Sequence, residues 1–217
     1  MSVPIVALTG ATGFIGRHLL KELPNRGFKV RVLLRRPTIL PPEASSAVVG
    51  DLAVPRNMSD ALAGVDAVVH SAGLAHGMSG VPEDDYRAIN TEATVGLARA
   101  AARAGARRFV FLSSIRAQSG PVASEVLTED MEPRPTDVYG RSKLDAERGL
   151  ADVHIDRVAM RPVLVYGQGV RGNMAALVRL AAKPVPLPFR SLPGRRSLLS
   201  VEASRSAAAR RSLASSS

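Results

Sequence analysis

The chain has 217 residues, 46% of them hydrophobic, which fits one globular domain with a sizeable core or one large and one small lobe. It contains no cysteine, which excludes disulfides and zinc–thiolate sites, and we predict no metal site. The net charge of +10 would suit nucleic-acid binding, but residues 1–170 carry 20 Lys+Arg against 18 Asp+Glu, whereas residues 171–217 carry 9 against 1. We expect no nucleic-acid partner, because the basic excess lies outside the predicted folded body.

The sequence contains no apolar run of about 18 residues or more, the length that a membrane-spanning helix needs. Its N-terminus enters an apolar strand without the basic region of a secretory signal peptide. Together with the absence of cysteine, this leads us to expect a cytoplasmic protein without a membrane span.

The first 160 residues alternate short apolar runs with helical patterns, which is typical of βαβ units and a parallel sheet. Strands are predicted at residues 3–8, 29–34, 47–49, 67–70, 108–112 and 157–160. Helices are predicted at residues 14–23, 58–62, 84–104 and 139–150. The expected fold class is α/β: a Rossmann-like, doubly wound parallel sheet with right-handed crossovers that occupies residues 1–160.

The pattern becomes irregular from about residue 161. A helix is predicted at residues 173–182 and, after a proline-rich stretch, a strand at residues 196–201. We assign residues 161–203 to a small, partial substrate-binding lobe. Residues 204–217 contain only Ser, Arg, Ala and Leu, which predicts a disordered or adventitious low-complexity tail.

A glycine-rich turn follows the first predicted strand. Residues 9–16 read TGATGFIG, which places Gly10, Gly13 and Gly16 where the strand passes into the first helix. A helix N-terminus offers unpaired N–H groups and partial positive charge to a pyrophosphate, and glycines let the backbone approach it closely. The turn therefore predicts dinucleotide binding, with a plain strand–helix turn as the alternative.

The end of the second predicted strand indicates which dinucleotide. Arg35 and Arg36 stand where an acidic residue would bind the ribose 2′-hydroxyl of NAD. Guanidinium groups suit a 2′-phosphate instead, so we predict NAD(P) as cofactor with NADP preferred. A solvated basic pair at a strand end is the alternative.

A Y-x-x-x-K motif runs from Tyr139 to Lys143 on a predicted helix. Positions i and i+4 share a helix face, so the ammonium can lower the pKa of the phenol by favouring the phenolate. This makes Tyr139 a candidate acid/base. Ser113 and Ser114 end the fifth predicted strand, at the sheet edge where ligands bind in parallel α/β folds.

These motifs resemble the extended short-chain dehydrogenase/reductase family, and within it the bacterial UDP-sugar 4-epimerases and 4-keto-reductases of the NAD-dependent epimerase/dehydratase group. The resemblance covers about residues 3–201 and rests on TGATGFIG, GDL, FVFLSS, YGRSKLDAE, RPVLVYG and RRSLLSV. It implies a catalytic triad of Ser114, Tyr139 and Lys143. Tyr139 would take the proton of the sugar 4-hydroxyl as hydride passes from C4 to the nicotinamide, leaving a 4-keto sugar.

The resemblance also implies further binding residues. Besides the glycines, Arg35, Tyr139 and Lys143, the cofactor residues it implies are Thr12, Phe14, Ile15, Asp51, Leu52 and Ala72. The substrate residues it implies, besides Ser114, are Asn173 and Arg196 at the UDP diphosphate and Phe189 near the uracil. A helix cap, a solvated arginine and a core phenylalanine are the respective alternatives for these three.

Two other residues receive a supporting role from the resemblance. His70 would serve packing or the cofactor backbone rather than act as a base. Asn90 would support the site or, alternatively, lie on a helix surface. The family also implies a homodimer, formed through the two predicted helices at residues 84–104 and 139–150.

The chain departs from the family pattern in several places. Leu164 replaces an asparagine that faces the sugar in many epimerases, which favours another sugar than glucose or galactose, or a reductase. Ile115 follows Ser114 where a dehydratase has an acidic residue, so dehydration is not expected. The Ser/Arg/Ala tail replaces the rest of the sugar lobe, which suggests the hypothesis of a C-terminus truncated by a frameshift.

The sequence therefore predicts a nucleotide-sugar epimerase or 4-keto-reductase with a nucleotide-sugar substrate. Two alternatives stay open. One is a dinucleotide-binding module that is truncated or inactive, and the other is an NADPH-dependent reductase of a non-sugar ketone.

Overall fold

The computed structural model of this protein describes residues 2–75, 80–123, 125–170, 172–182 and 197–213. Its strands are β1 Ile5–Thr9, β2 Lys29–Leu34, β3 Ala44–Val48, β4 Ala67–His70, β5 Arg108–Leu112, β6 Asp156–Met160, β7 Leu164–Tyr166 and β8 Leu198–Ser200. Its helices are α1 Phe14–Asn25, α2 Met58–Leu62, α3 Glu83–Tyr86, α4 Ala93–Arg103, α5 Val138–Ala151, α6 Gly172–Ala181 and α7 Val201–Leu213. A π-helical stretch, Arg87–Glu92, joins α3 to α4, and Ile115–Ala117 is a 3₁₀ turn.

Six of these strands form one parallel sheet in the order β3-β2-β1-β4-β5-β6. In the register of the central strands, Leu8 of β1 lies beside Val32 of β2 and Val69 of β4. Every residue of β4 and β5 is buried, as expected for parallel strands that are covered on both faces. The order reverses between β1 and β4, so the predicted Rossmann-like, doubly wound fold is confirmed.

Helices cover both faces of the sheet. One apolar cluster joins strand residues such as Phe109 and Phe111 to α4 and α5, for instance to Leu97 and Leu150. The other joins alternate strand residues to α1 and α7. Because the strands are parallel, β1, β2, β4 and β5 end at the same edge, and this edge positions the candidate site.

Several predicted elements differ from the observed ones. The third strand begins at Ala44 rather than at residue 47, because β3 is an edge strand whose exposed Ser45 and Ser46 hide it from an apolar pattern. Strand β7 was not predicted, and it pairs in parallel only with β8 among the described strands. The predicted helix at residues 84–104 contains the π-helical stretch, a wider turn that is often found at functional sites.

The largest correction concerns the tail. Residues 204–213 are not disordered but belong to α7. Alanine and arginine are strong helix formers, and the small side chains of Val201, Ser204, Ala208 and Ala209 are buried on one stripe of the helix. Polar contacts fix it further: Arg26 Nη2 donates to Ser206 Oγ at 2.7 Å.

Candidate active site

The glycine turn between β1 and α1 has no room for side chains at its two ends. Gly10 adopts a left-handed φ of +70°, and a Cβ there would lie 2.6 Å from the Ala72 amide nitrogen. A Cβ on Gly16 would lie 2.0 Å from the Gly10 carbonyl oxygen. Between them, Thr12 and Gly13 are exposed, immediately before the first turn of α1. A pyrophosphate could approach this backbone directly.

The other predicted cofactor residues lie near the same sheet edge. Arg35 follows the end of β2 with its side chain exposed, and it forms no ion pair with any residue that the structure describes. Asp51 is exposed and accepts a hydrogen bond from the Ala53 amide at 3.0 Å, whereas Leu52 packs against the core. Phe14 and Ile15 are half-buried at the start of α1. The Ala72 amide donates to Thr9 Oγ1 at 3.3 Å, which fixes the loop after β4 beside the glycine turn.

A buried polar chain runs beneath this edge. Thr9 Oγ1 is hydrogen-bonded to His70 Nδ1 at 2.7 Å, and His70 Nε2 to Thr94 Oγ1 at 3.0 Å. Burial lowers the pKa of His70 to about 3, and the nearby Lys143 cation acts in the same direction. The imidazole is therefore neutral at physiological pH, and its position between two threonines agrees with a packing role rather than that of a base.

Asn90 lies inside the molecule, on the π-helical stretch. Its Oδ1 accepts from the Leu74 amide at 2.8 Å, while its Nδ2 donates to the Leu74 carbonyl at 3.2 Å and to Ser142 Oγ at 3.0 Å. Ser142 Oγ in turn donates to the Tyr139 carbonyl at 2.8 Å. Asn90 thus links the loop after β4 to α5, and the alternative that it lies on a helix surface is wrong.

Ser114, Tyr139 and Lys143 come together at the end of β5. Ser114 is buried and hydrogen-bonded to the phenol of Tyr139. Lys143 Nζ donates to the Leu112 carbonyl at 3.2 Å and lies 6.0 Å from the centroid of the Tyr139 ring. The N-cap of α5 is Asp137, whose Oδ1 accepts from the Gly140 amide at 2.7 Å and so fixes the start of the helix.

The pKa of Tyr139 is shifted in the direction opposite to the sequence-based expectation. Burial raises the pKa of Tyr139, although the hydrogen bond to Ser114 and the charge of Arg116 oppose this rise. The prediction of a lowered phenol pKa is therefore wrong for this structure, because desolvation outweighs the hydrogen bond to Ser114 and the charge of Arg116. Burial also lowers the pKa of Lys143 to about 8, against the stabilising effect of Glu147 on the ammonium.

Sequence reasoning missed a second group of polar residues at this edge. Arg161 Nη2 donates to Glu147 Oε2 at 2.5 Å, and its Nη1 donates to Gln118. Ser113 Oγ donates to the same Glu147 carboxylate. Glu147 stands one helical turn after Lys143, which is the signal that could have identified it. No local sequence pattern identifies Arg116, which faces Tyr139.

The described residues include little of the predicted substrate site. Asn173 lies on α6, but only its place in that helix is described. Phe189 and Arg196 lie outside the described residues. Their assignment to a UDP-sugar remains a prediction. Among the residues that the structure describes, every helix is too short or too polar to cross a membrane.

Comparison with known sequences connects this geometry to a family. A sequence model of the NAD dependent epimerase/dehydratase family matches residues 6–203. The chain is 37% identical over 206 residues to the UDP-glucose 4-epimerase of Vibrio cholerae, which covers 90% of this chain and 62% of that protein. It is 31% identical over 201 residues to the ceramide reductase of Caulobacter vibrioides, which covers 91% of this chain and 57% of that protein. The chain thus spans less than two thirds of either relative.

Solved structures give a consistent picture. MoeE5, in complex with UDP-glucuronic acid and NAD, superposes with a TM-score of 0.80 at 33% identity, covering 97% of this chain and 73% of that chain. The UDP-N-acetylglucosamine 4-epimerase of Bacillus cereus superposes with a TM-score of 0.73, covering 94% and 71%, but its 22% identity supports the fold alone.

Proposed function

This chain belongs to the NAD-dependent epimerase/dehydratase family, and we propose that it is a nucleotide-sugar oxidoreductase that transfers hydride at C4 of a UDP-sugar, as a 4-epimerase or a 4-keto-reductase. The observation that carries this proposal is the hydrogen bond between Ser114 and Tyr139, formed beside Lys143 at the sheet edge that also carries the glycine turn. An acid/base group and a dinucleotide site at one edge are what this reaction class requires.

The glycine turn fits a nicotinamide dinucleotide. The crowding at Gly10 and Gly16 and the exposure of Thr12 and Gly13 suit the close approach of a pyrophosphate to the start of α1, where a helix has N–H groups without intrahelical partners. Asp51 and Leu52 would lie at the adenine, and Ala72 with the half-buried Phe14 and Ile15 would complete the cradle. When bound, the nicotinamide would supply the hydride acceptor or donor.

Three side chains would do the protein's share of the chemistry. Tyr139 would exchange a proton with the oxygen on C4, while Ser114 would donate a hydrogen bond to that oxygen and orient the phenol. Lys143 would stabilise the phenolate and bind the nicotinamide ribose. The raised pKa of Tyr139 keeps the phenol protonated at neutral pH, which supports proton donation to a 4-keto sugar.

Replacing Tyr139 by phenylalanine tests the proposal. Tyr139→Phe should lower kcat with UDP-sugars roughly 10²–10⁴-fold, since it removes the acid/base group, while cofactor affinity and thermal stability change little. Tyr166→Phe is the matched control, because Tyr166 is exposed on β7. Equal activity of Tyr139→Phe and wild type would contradict the assigned role. Cofactor binding without turnover by the wild type would favour the binding-module alternative.

The preference for NADP rests on Arg35. Its exposed guanidinium, without a described ion-pair partner, is available to a 2′-phosphate. Arg35→Ser should weaken NADP binding roughly tenfold, the loss expected for one charge-assisted hydrogen bond, and leave NAD binding unchanged. Lys29→Ser is the control, because Lys29 is also exposed but lies at the opposite end of β2. Titration calorimetry with both cofactors measures the difference, and equal NADP affinities for the two variants would exclude the preference.

A reductase of a non-sugar ketone is the second candidate function. It is favoured by the 31% identity to a ceramide reductase, and it would use the same three residues. Turnover of hydrophobic ketones with NADPH, without turnover of any UDP-sugar, would select this alternative. A homodimer through α4 and α5 also stays a prediction.

A further inference from the structure

Arg116 connects the two elements that carry Ser114 and Tyr139. It lies on the 3₁₀ turn after β5, where its backbone amide donates to Ser114 Oγ at 3.2 Å. Its Nη2 donates to Asp137 Oδ2, and Asp137 is the N-cap of α5. One residue therefore contacts both the hydroxyl that faces Tyr139 and the cap of the helix on which Tyr139 stands.

The backbone of Arg116 also sets how closely the two elements approach. A Cβ on Gly140 would lie 2.3 Å from the Arg116 carbonyl oxygen, so a glycine after Tyr139 is needed for this packing. Only 14% of the Arg116 side chain is exposed. Its Nε is buried and has no hydrogen-bond partner among the described residues, which indicates that the guanidinium is held in a tight site.

Among the described residues, three charged or titratable side chains lie near the phenol of Tyr139. Arg116 approaches from the 3₁₀ turn, Tyr86 from α3 with ring centroids 6.4 Å apart, and Lys143 from the same helix. The pKa of Lys143 is about 8, so its charge disappears over the range in which a phenol titrates. An arginine stays charged throughout that range, and the charge of Arg116 opposes the rise in the pKa of Tyr139 that burial causes.

We propose that Arg116 is a positioning residue for Tyr139: its guanidinium, held by Asp137, supplies a permanent positive charge beside the phenol and fixes the turn that carries Ser114 to the start of α5. The catalytic meaning of this inference rests on the proposed function, but the charge effect itself does not. It can be measured without substrate or cofactor.

The chain is well suited to that measurement, because it has three tyrosines and no tryptophan. Tyrosine labelled with ¹³C at Cζ should give one NMR signal for each phenol, and Tyr139→Phe identifies the signal of Tyr139. Arg116→Gln should raise the pKa of Tyr139 by about one unit, the effect of losing one nearby opposite charge. Arg116→Lys should shift it less, because the charge is kept. Arg141→Gln is the control, since Arg141 lies on α5 but pairs with the exposed Glu83 at 3.2 Å.

A second variant separates charge from simple disruption. Asp137→Asn removes the negative partner of Arg116, while asparagine still caps a helix. It should therefore lower the pKa of Tyr139, the direction opposite to that of Arg116→Gln. If Arg116 and Asp137 had a purely structural role, the two substitutions would shift the Tyr139 pKa in the same direction, or neither would shift it. An unchanged Tyr139 pKa in folded Arg116→Gln, or shifts of equal sign in the two variants, would overturn the proposal. If Arg116→Gln does not fold, a rise or no change in Asp137→Asn would overturn it.

An activity assay separates a failure of this inference from a failure of the proposed function. If the wild type turns over a UDP-sugar, the pH dependence of kcat for Arg116→Gln should shift to higher pH by the amount found by NMR. Shifts in the Tyr139 pKa with no turnover by the wild type would uphold the role of Arg116 and remove the proposed function. Turnover by the wild type, without any change in the Tyr139 pKa in the variants, would support the proposed function and overturn the role of Arg116.

Discussion

Polar side chains are placed differently in two regions of the molecule. One region is the sheet edge that carries the candidate site, and the other is the segment from residue 161 onward. At the edge, Thr9, His70, Asn90 and Thr94 are all buried, and each is hydrogen-bonded to another member of the set or to nearby backbone. In the later segment, the described charged side chains are at least partly exposed, and Leu164, Tyr166 and Leu198 also face solvent. The later segment contacts the main sheet largely through the small buried residues of α7.

This difference predicts where the molecule tolerates change. At the site edge, an added methyl group meets backbone, and a removed hydroxyl leaves a buried partner without a hydrogen bond. Among the described residues of the later segment, the buried stripe of α7 and the residues packed against it should be the most sensitive. Three experiments test this contrast, and we take them in order of decreasing effect.

The largest effect is expected from Gly16→Ala. The new Cβ would lie 2.0 Å from the Gly10 carbonyl oxygen, so the turn must open, at a cost of roughly 3 kcal/mol in the free energy of unfolding. Cofactor binding should fall with it, because the same turn is the proposed pyrophosphate site. Gly96→Ala is the control: Gly96 lies in the interior of α4, a Cβ there meets nothing within 4 Å, and the change should stabilise by about 0.5–1 kcal/mol. Urea denaturation measures the free energy of unfolding of both variants, and similar free energies would contradict the crowding at Gly16.

A smaller effect is expected from Ala209→Arg on α7. Ala209 is fully buried between α7, α1 and the sheet, so a long charged side chain must displace the helix or bend out to solvent, at roughly 2 kcal/mol. Ala203→Arg, on the exposed side of α7, should change stability by less than about 0.5 kcal/mol. Thermal denaturation compares the two, and equal melting temperatures would show that α7 does not pack as described.

The smallest effect near neutral pH is the acid sensitivity that His70 gives to the site edge, although it grows as the pH falls. Its pKa is about 3 in the folded state against 6.5 for an ordinary histidine, so between these values the unfolded state binds a proton that the folded state excludes. The free energy of unfolding should therefore decrease as pH falls below about 6.5, by up to about 1.4 kcal/mol for each pH unit. His70→Gln should flatten this dependence, whereas His154→Gln, at an exposed histidine, should keep it. A wild-type slope that survives in His70→Gln would contradict the burial of a neutral imidazole.

Local patterns predicted the centre of the sheet better than its margins. Strands β2, β4 and β5 agree with their predicted bounds residue for residue, because strands that are buried along most of their length carry mainly apolar side chains. Edge strand β3 contains the exposed Ser45 and Ser46, and β7 has only three residues, two of them exposed, so neither carries a comparable signal. Residues 204–213 were predicted to be disordered because small residues give no amphipathic pattern, and the contacts with α1 and the sheet show which of them are buried.

Within the site, the residues that chemistry requires at fixed spacing were predictable. The glycine turn and Tyr139 to Lys143 each lie within one short segment, so their geometry follows from a strand–helix turn and from one helical turn. Partners that are distant in sequence were not predictable. Arg116 meets Asp137 across 21 residues, and Thr9 meets His70 across 61. The direction of the Tyr139 pKa was also wrong, because no local pattern gives the burial that raises it.

The sequence by itself determined the βα alternation, the glycine turn and the residue types of the candidate triad, because each depends on side chains that are close neighbours along the chain. Tertiary structure alone decided the strand order, the burial of His70 and Asn90, the helical state of residues 204–213 and the charge beside Tyr139. Those properties arise where elements far apart in sequence pack together and exclude water, so they become definite only once the sheet has assembled.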